Sequence, residues 1–252
     1  MIAPISSQPP QAAVAELAPA GRLRAAINLG NPVLAGKDAA TGESRGVSVD
    51  LARELAKRLD VPLELVTVST AAKSVEAIKS GACDVAFVAI DPARAVDMDY
   101  TAAYVLIEGA YLVPQASPIR TNADVDREGV RVVVGAGSAY DLYLTRELKR
   151  AQSVRVPTSE EVVQAMLAQR FEVAAGVRQQ LQADAKRVSG VRLLDGQFMV
   201  INQAMALPKG RPAGARYLAM FVEDMKASGF VAGSLARHGI EGAAVAPAAG
   251  RT

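Results

Sequence analysis

Apolar runs with the period of strands alternate along this chain with runs that have the period of helices, and this alternation most constrains the fold. A first series covers residues 23–88, and a second covers residues 130–193. The predicted strands are residues 23–28, 62–68, 84–88, 130–134, 153–156, 172–175 and 191–193. One predicted helix starts at residue 46, and the others cover residues 71–80, 138–148, 159–168, 179–187 and 213–227. Strands that alternate with helices form largely parallel sheets with helices on their faces. The sequence therefore predicts an α/β fold.

Two extended runs, residues 104–114 and 202–208, bracket the second series. Each would pass from one series to the other, so we expect two lobes joined by two crossing strands around a central cleft. The crossings are placed near residues 111–114 and 204–207, and a ligand is expected to close the lobes about them. The predicted boundaries are residues 20–111 and 208–240 for the first lobe and 112–207 for the second, with a loose lead-in at 1–19 and a loose tail at 241–252.

Charge and composition exclude several classes of function. The 252 residues include 28 Lys and Arg against 26 Asp and Glu, interspersed without a basic stripe, so nucleic acid is not an expected partner. Cys83, the single cysteine, is expected in the core, and His238, the single histidine, is expected to be a cation at a helix end. These counts exclude an internal disulfide and a metal site of Cys or several His, so no metal or other cofactor is predicted. No apolar run reaches roughly 18 residues, and direct membrane insertion is not expected.

Arg94 follows the apolar strand at 84–88 and an Asp91-Pro92 pair that is expected to start a short helix. Open α/β sheets bind ligands at the carboxyl ends of their strands, and Ala89 lies at the same strand end. A guanidinium there holds a carboxylate with two parallel hydrogen bonds, which a lysine cannot do. The alternative is a surface arginine at a helix start. We predict that Arg94 anchors the carboxylate of a small-molecule ligand.

Four motifs occur in register over residues 21–239. They are Gly46-Val47-Ser48-Val49-Asp50-Leu51-Ala52, which resembles G-x-x-x-D-L-A; Asp91-Pro92-Ala93-Arg94 with residues 99–104, which resembles a segment that carries a ligand-binding arginine; residues 130–134 with Gly137-Ser138-Ala139, which resemble a second-lobe strand and its G-T/S-x turn; and residues 204–210, which resemble a hinge-return segment that ends in K-G. Together they resemble the type-2 periplasmic solute-binding proteins of the amino-acid ABC-transporter family, bacterial extracellular solute-binding protein family 3.

The resemblance implies a two-lobed, type-2 periplasmic-binding-protein-like fold, with two parallel or mixed sheets flanked by helices and joined by two crossing strands. It also implies non-catalytic binding of an amino acid or related organic acid for an ABC importer, with a membrane permease as partner. The implied location is the periplasm, and the expected state is a monomer. Residues 1–20 lack the charged and apolar regions of a secretory signal, which leaves open a removed signal or a cytoplasmic protein. Asp50 is interpreted as structural, capping or steadying its helix start.

The second lobe offers an anion site opposite Arg94. Ser138 and Ala139 lie at a predicted helix N-terminus, where free backbone N–H groups and the helix dipole favour negative charge. If the lobes close, these amides and Arg94 would clamp one carboxylate. The alternative is an ordinary helix start with Ser138 as its N-cap, and both interpretations are compatible.

The chain departs from the family where an amino group is recognised. The family's D-A-x-x-x-D segment ends in an Asp that accepts the ammonium, and Val177 stands at that position here. Because a buried ammonium without a carboxylate is costly, two explanations stay open. The carboxylate of Asp91 serves the ammonium from the first lobe, or the ligand is a plain carboxylic acid. Asp91 is also interpreted as a helix N-cap before Pro92.

The first loop, residues 28–32, lacks the aromatic residue that often covers an amino-acid side chain in the family. Asn31 is expected to offer its amide to a polar ligand. Tyr140, near the start of the second-lobe helix, is a candidate replacement lid, and the alternative is that it packs on Leu144 four residues later.

Two other functions are considered beside non-catalytic binding. One is an enzyme similar to the cyclohexadienyl dehydratases on the same scaffold, with Glu108 as the candidate general acid. The other is a ligand-sensing protein with the same site and an unidentified partner. Because the chain has no usable histidine and no set of metal ligands, the sequence favours binding, and no catalytic residue is predicted.

Overall fold

The structure, a computed structural model, describes residues 9–250, and strands alternate with helices along that range. The strands are β1 (Leu23–Asn28), β2 (Gly36–Lys37), β3 (Ser44–Arg45), β4 (Leu63–Val68), β5 (Val85–Ala89), β6 (Met98–Pro114), β7 (Arg131–Gly135), β8 (Gln152–Val156), β9 (Val173–Val177), β10 (Val191–Leu193), β11 (Met199–Pro208) and β12 (Ala244–Val245). The helices are α1 (Gln11–Leu17), α2 (Val47–Leu59), α3 (Ala71–Lys79), α4 (Ala139–Glu147), α5 (Val162–Ala168), α6 (Arg178–Arg187), α7 (Pro212–Ala227) and α8 (Phe230–Arg237), with short 3-10 turns at Asn122–Asp124 and Ser159–Glu161.

The large sheet is mixed because two long strands, β6 and β11, run through both of its halves. Its strand order is β4-β1-β5-β11-β6-β9-β7-β8, and β10 and β12 each pair with β6. Strands β4, β1 and β5 are parallel to one another, as are β8, β7 and β9. Strands β6 and β11 run antiparallel to each other and to their remaining neighbours. The predicted α/β fold, with parallel sheets joined by two strands, is confirmed.

The two strands cross between the lobes earlier than the sequence predicted. Residues 203–206 of β11 pair with β5 of the first lobe, whereas residues 109–112 of β6 pair with β9 of the second. Between these stretches the two strands pair with each other around Ile107 and Ile201. Both strands stay extended across the change of partner, so periodicity does not mark it. The predicted crossings, at residues 111–114 and 204–207, therefore lie inside the sheets.

The helices bury the faces that their periodicity predicts. In α2, Leu51, Leu55 and Leu59 recur every fourth residue and all three are buried. Cys83, after α3, is fully buried as predicted, and burial raises the pKa of its thiol to about 11. None of the helices described over residues 9–250 is both long and apolar enough to cross a bilayer.

The lead-in predicted to be loose contains helix α1, which packs against α7. Ala13 and Leu17 are buried. Leu17 packs closely on Gly214 of α7, since a β-carbon added at Gly214 would lie 3.2 Å from Cγ of Leu17. Glu16 adds polar contacts, since its carbonyl oxygen accepts from Arg211 at 2.8 Å and its carboxylate from the N–H of Gly214 at 2.7 Å. This correction concerns residues 9–19, and the rest of the predicted lead-in lies outside the described residues.

The tail predicted to be loose also contains structure. Strand β12 pairs with β6 opposite Leu106 and Val105, where β6 would otherwise leave backbone groups unpaired. The Lys226 ammonium in α7 donates to the carbonyl oxygens of Ala103 and Pro247 at 3.1 and 2.9 Å. The tail was mispredicted because its order comes from these distant partners rather than from its own sequence.

Asp50 holds α2 against α8 instead of capping its own helix. Its Oδ2 accepts from Ser234 at 2.6 Å and from Arg237 at 3.0 Å, and it lies 3.0 Å from Nε2 of His238. His238 is the residue that follows α8, at the helix end where the sequence placed it. The structural role predicted for Asp50 therefore involves a second helix that the motif did not indicate.

Replacing Leu17 with Ala tests whether α1 belongs to the folded core. We expect Leu17→Ala to lower the free energy of unfolding by about 2–4 kcal/mol, because it removes buried apolar surface and leaves a cavity. Urea denaturation followed by circular dichroism measures the change. The control is Gln11→Ala on the exposed side of α1, with an expected effect below about 0.5 kcal/mol. Equal effects of the two substitutions would contradict the packing of α1 on α7.

Candidate ligand-binding cleft

A cleft with a cavity of about 60 Å³ lies between the two lobes. The first lobe lines it with the turn after β1, the turn before α3, the end of β5 and Arg94. The second lobe lines it with the start of α4, Pro157 and Ser159 after β8, and the junction of β9 with α6, and Ile201 and Gln203 of β11 also contribute. All the predicted site residues except Asp91 line this cleft, namely Asn31, Ala89, Arg94, Ser138, Ala139, Tyr140 and Val177.

The segment that carries Arg94 consists of turns, and the predicted short helix is wrong. Residues 92–97 form consecutive turns in which the N–H groups of Arg94 and Ala95 both donate to the carbonyl oxygen of Asp91 at 3.1 Å. The connection from β5 to β6 is only residues 90–97, which leaves room for one helical turn before the chain re-enters the sheet. The turn still places Arg94 at the carboxyl end of β5, as the sequence predicted.

The side chain of Arg94 is buried and contacts both lobes. It is 4% exposed, its Nη1 donates to the carbonyl oxygen of Ala89 at 3.2 Å, and its Nη2 donates to that of Gly137 at 2.8 Å. Gly137 belongs to the second lobe and lies close to the first. A β-carbon added at Gly137 would lie 2.9 Å from Cβ of Ala72. The left-handed φ of 68° at Gly137 also favours glycine. The cleft is therefore closed around Arg94.

No carboxylate neutralises Arg94 at ion-pairing distance within residues 9–250, and both of its hydrogen bonds go to neutral carbonyl oxygens. Burial lowers the pKa of the guanidinium, and the Tyr100 hydroxyl and the Asp91 carboxylate offset part of that shift. A buried cation without a counter-ion is destabilising by several kcal/mol in general. An anionic group in the cleft would remove this cost.

The start of α4 combines a helix cap with free N–H donors. Ser138 Oγ accepts from the N–H of Asp141 at 3.0 Å, and the Asp141 carboxylate accepts from the N–H of Gly137 at 2.8 Å. The first N–H groups of a helix have no partner inside it, and this capping leaves those of Ala139 and Tyr140. The N-cap alternative for Ser138 is thus observed, and it does not use the donors that an anion would need.

Tyr140 forms part of the cleft wall, with its hydroxyl directed into the second lobe. The side chain is 3% exposed and its hydroxyl donates to Ser159 Oγ at 2.7 Å. Burial raises the pKa of this hydroxyl, so it stays protonated near neutral pH. A side chain held in this way does not act as the mobile lid that the sequence suggested.

Asp91 lies outside the residues that line the cleft and contacts the second lobe directly. Its Oδ1 accepts from the N–H of Ala93 at 2.8 Å, which matches the capping alternative in a turn rather than a helix. Its Oδ2 forms an ion pair with Nη2 of Arg146 in α4 at 2.9 Å. The carboxylate is buried and already has a cation, so it is not placed to receive a ligand ammonium.

The loop after β1 approaches the first-lobe turn at Ser69. Asn28 Oδ1 accepts from the N–H of Gly30 at 3.0 Å, and a β-carbon at Gly30 would lie 2.2 Å from the carbonyl oxygen of Ser69, so only glycine fits. Asn31 Oδ1 accepts from the N–H of Val33 at 3.2 Å. Asn31 therefore shapes the loop while it lines the cleft.

Sequence reasoning missed Gln203, which lines the cleft from β11. Gln203 is 5% exposed, and its buried Oε1 has no hydrogen-bond partner within residues 9–250. Asn202 and Gln203 are two polar residues between the apolar runs 199–201 and 204–207, and this interruption is an available signal because buried polar groups need a partner. Other neutral polar residues that line the cleft are Asn28, Ser69, Thr70 and Gln180.

A sequence profile of bacterial extracellular solute-binding proteins, family 3, matches residues 23–239. The chain belongs to this family. The family prediction made from the four motifs is confirmed, and so is the prediction that the protein binds a solute. No curated protein matches the sequence.

Solved structures share the two-lobed fold. The amino acid ABC transporter substrate-binding protein of Streptococcus pneumoniae bound to L-arginine has 18% identity and a TM-score of 0.75 over 90% of this chain and 98% of that chain. The solute receptor for L-cysteine of Neisseria gonorrhoeae has 23% identity and a TM-score of 0.76 over 89% and 92%. An ancestral amino acid-binding protein, a precursor of cyclohexadienyl dehydratase, has 22% identity and a TM-score of 0.73 over 89% and 97%. At these identities the likeness establishes the fold.

Replacing Arg146 with Gln tests the ion pair that joins the lobes. Without its partner, the Asp91 carboxylate is better solvated when the lobes separate, so Arg146→Gln should favour an open ligand-free state. Because the Arg146 side chain is 42% exposed, we expect a change of up to about fivefold in the open fraction, or about 1 kcal/mol. Spin labels on cysteines introduced at Lys57 and Glu160 report the inter-lobe distance.

The buried Cys83 should stay unlabelled in that experiment. The matched control is Arg150→Gln, which changes another exposed arginine of the second lobe and should leave the distance distribution unchanged. Identical distributions for wild type and Arg146→Gln would show that the ion pair does not hold the lobes together.

Proposed function

We propose that the protein is the solute-binding component of an ABC importer and carries a small carboxylate compound in its cleft. The observation that carries this proposal is the buried guanidinium of Arg94, which has no counter-ion within residues 9–250. A ligand carboxylate supplies the missing negative charge, and two parallel hydrogen bonds from the planar guanidinium fix its orientation.

The carboxylate would be held from both lobes. Arg94 uses one N–H of each Nη atom on the carbonyl oxygens of Ala89 and Gly137, and a guanidinium carries five donors in all. The remaining donors and the N–H groups of Ala139 and Tyr140 at the start of α4 belong to residues that line the same cleft. Binding therefore favours the closed arrangement, since an open cleft separates the two sets of donors.

The comparisons support the transport role. The family is one of extracellular solute-binding proteins, and the similar protein of Streptococcus pneumoniae is the substrate-binding protein of an amino acid ABC transporter. We therefore place this protein outside the cytoplasmic membrane, in the periplasm, with a membrane permease as its partner.

A dehydratase on the same scaffold is less well supported. Elimination of water and carboxylate needs a proton donor that reaches the substrate. Glu108, the candidate for that role, pairs with Arg178 at 2.5 Å and does not line the cleft. Among the described residues that do line it, none is Asp, Glu or His. Turnover of prephenate by the purified protein would favour the enzyme instead.

Replacing Arg94 with Lys tests the anchor. Thermal-shift screening of amino, hydroxy and oxo acids selects the compound that raises the unfolding midpoint most, since a ligand that binds the folded state stabilises it. Calorimetry with that compound should show binding weakened by about ten- to a hundredfold in Arg94→Lys, or about 1.4–2.8 kcal/mol, because lysine keeps the charge but loses the planar fork.

The matched control is Arg120→Lys, which changes an exposed arginine of the second lobe and should leave the affinity unchanged. Wild-type affinity in Arg94→Lys would remove Arg94 from the binding site and with it the basis of the proposal.

A further inference from the structure

We infer that residues 241–247, which we call the strap, form a third connection between the lobes and shift the ligand-free protein towards the closed cleft. The strap follows α8 of the first lobe and reaches the start of α6 in the second. Strands β6 and β11 are the other two connections. The effect needs no bound ligand, so it is independent of the proposed function.

One end of the strap is attached to the first lobe. Strand β12 pairs with residues 105–106 of β6. The ammonium of Lys226 in α7, whose side chain is buried, donates to the carbonyl oxygen of Ala103 in β6 at 3.1 Å and to that of Pro247 in the strap at 2.9 Å. Residues 244–247 therefore move with the first lobe.

The other end of the strap contacts the second lobe. Nε2 of Gln179, the second residue of α6, donates to the carbonyl oxygen of Glu241 at 3.0 Å. Gly242 lies against the same side chain, since a β-carbon added at Gly242 would lie 3.0 Å from Nε2 of Gln179. The φ of 72° at Gly242 lies in the left-handed region that favours glycine. The strap is therefore in direct contact with both lobes.

The strap also occupies one edge of β6 next to the change of lobe. Strand β9 of the second lobe pairs with residues 109–112 of β6, and β12 pairs with residues 105–106. Strand β11 pairs along the opposite edge as far as Gly109. Because buried backbone groups need partners, the pairing of β12 opposes a twist of β6 that would separate the two strands.

The contact with α6 is adjacent to the wall of the cleft. Val177 and Gln180, on either side of the contact residue Gln179, both line the cleft. Opening of the cleft moves this wall relative to the first lobe, to which the strap is attached. The hydrogen bond of Gln179 to Glu241 must then lengthen or break, so it stabilises the closed arrangement.

Two changes test the strap in the ligand-free protein. Gln179→Leu keeps a similar shape and removes the donor to Glu241, and a chain shortened to end at Ile240 removes the strap itself. Spin labels on cysteines introduced at Lys57 and Glu160 report the inter-lobe distance. We expect the ratio of open to closed molecules to rise by about two- to tenfold in Gln179→Leu, the effect of one hydrogen bond. The rise should be at least as large in the shortened chain.

Each change has a matched control. Gln182→Leu replaces an exposed glutamine of the same helix, and a chain that ends at Pro247 keeps every strap contact described above. Both controls should give the wild-type distance distribution. Oε1 of Gln179 is buried and has no partner within residues 9–250, so Gln179→Leu loses one hydrogen bond only and should fold, which its unfolding midpoint checks.

The outcomes decide the role of the strap. A larger open fraction in Gln179→Leu, with both controls unchanged, supports it. An unchanged or smaller open fraction in Gln179→Leu overturns the inference, and so does an unchanged or smaller open fraction in a folded chain that ends at Ile240. If the shortened chain does not fold, Gln179→Leu alone decides. None of these results depends on the affinity of Arg94 for a carboxylate, so the proposed function is tested separately.

Discussion

The burial of one guanidinium between two lobes is the constraint on which the site depends. Arg94 is taken out of water at the end of β5 and is satisfied by two carbonyl oxygens, one from each lobe. Carbonyl dipoles offset part of the desolvation cost of a cation, but they carry no net charge. The positive charge of the guanidinium is therefore uncompensated, and a bound anion would supply the missing negative charge. The rest of the lining, neutral and largely apolar, decides which anion this is.

The same contacts bear on how the lobes move. Three contacts cross the cleft near Arg94: its bond to Gly137, the approach of Gly137 to Ala72, and the ion pair of Asp91 with Arg146. The ion pair has one partner nearly half exposed, so it contributes at most about 1 kcal/mol. Contacts of this size bias an equilibrium without fixing it. Strands β6 and β11 connect the two lobes, and a ligand that touched both lobes would add to the free energy of closing.

Local patterns in the sequence were sufficient for the parts that local physics determines. The periods of strands and helices predicted the α/β order, and a strand end followed by Asp91-Pro92 placed Arg94 correctly because that position depends on neighbouring residues alone. Helix α1 and strand β12 were mispredicted because their order comes from α7 and β6, which lie far away in the chain. The pair of Asp91 with Arg146 joins residues of different lobes, so no spacing rule indicates it. Gln203 was missed because residues 202–208 were interpreted only as an extended run that passes between the lobes.

A crystal structure of the protein grown with a saturating concentration of the acid that thermal-shift screening selects tests the central claim most directly. The account predicts that the ligand carboxylate accepts two hydrogen bonds from the guanidinium of Arg94 at about 2.8 Å, with the lobes closed. A carboxylate bound elsewhere in the cleft, with Arg94 still donating only to carbonyl oxygens of the protein, would contradict it.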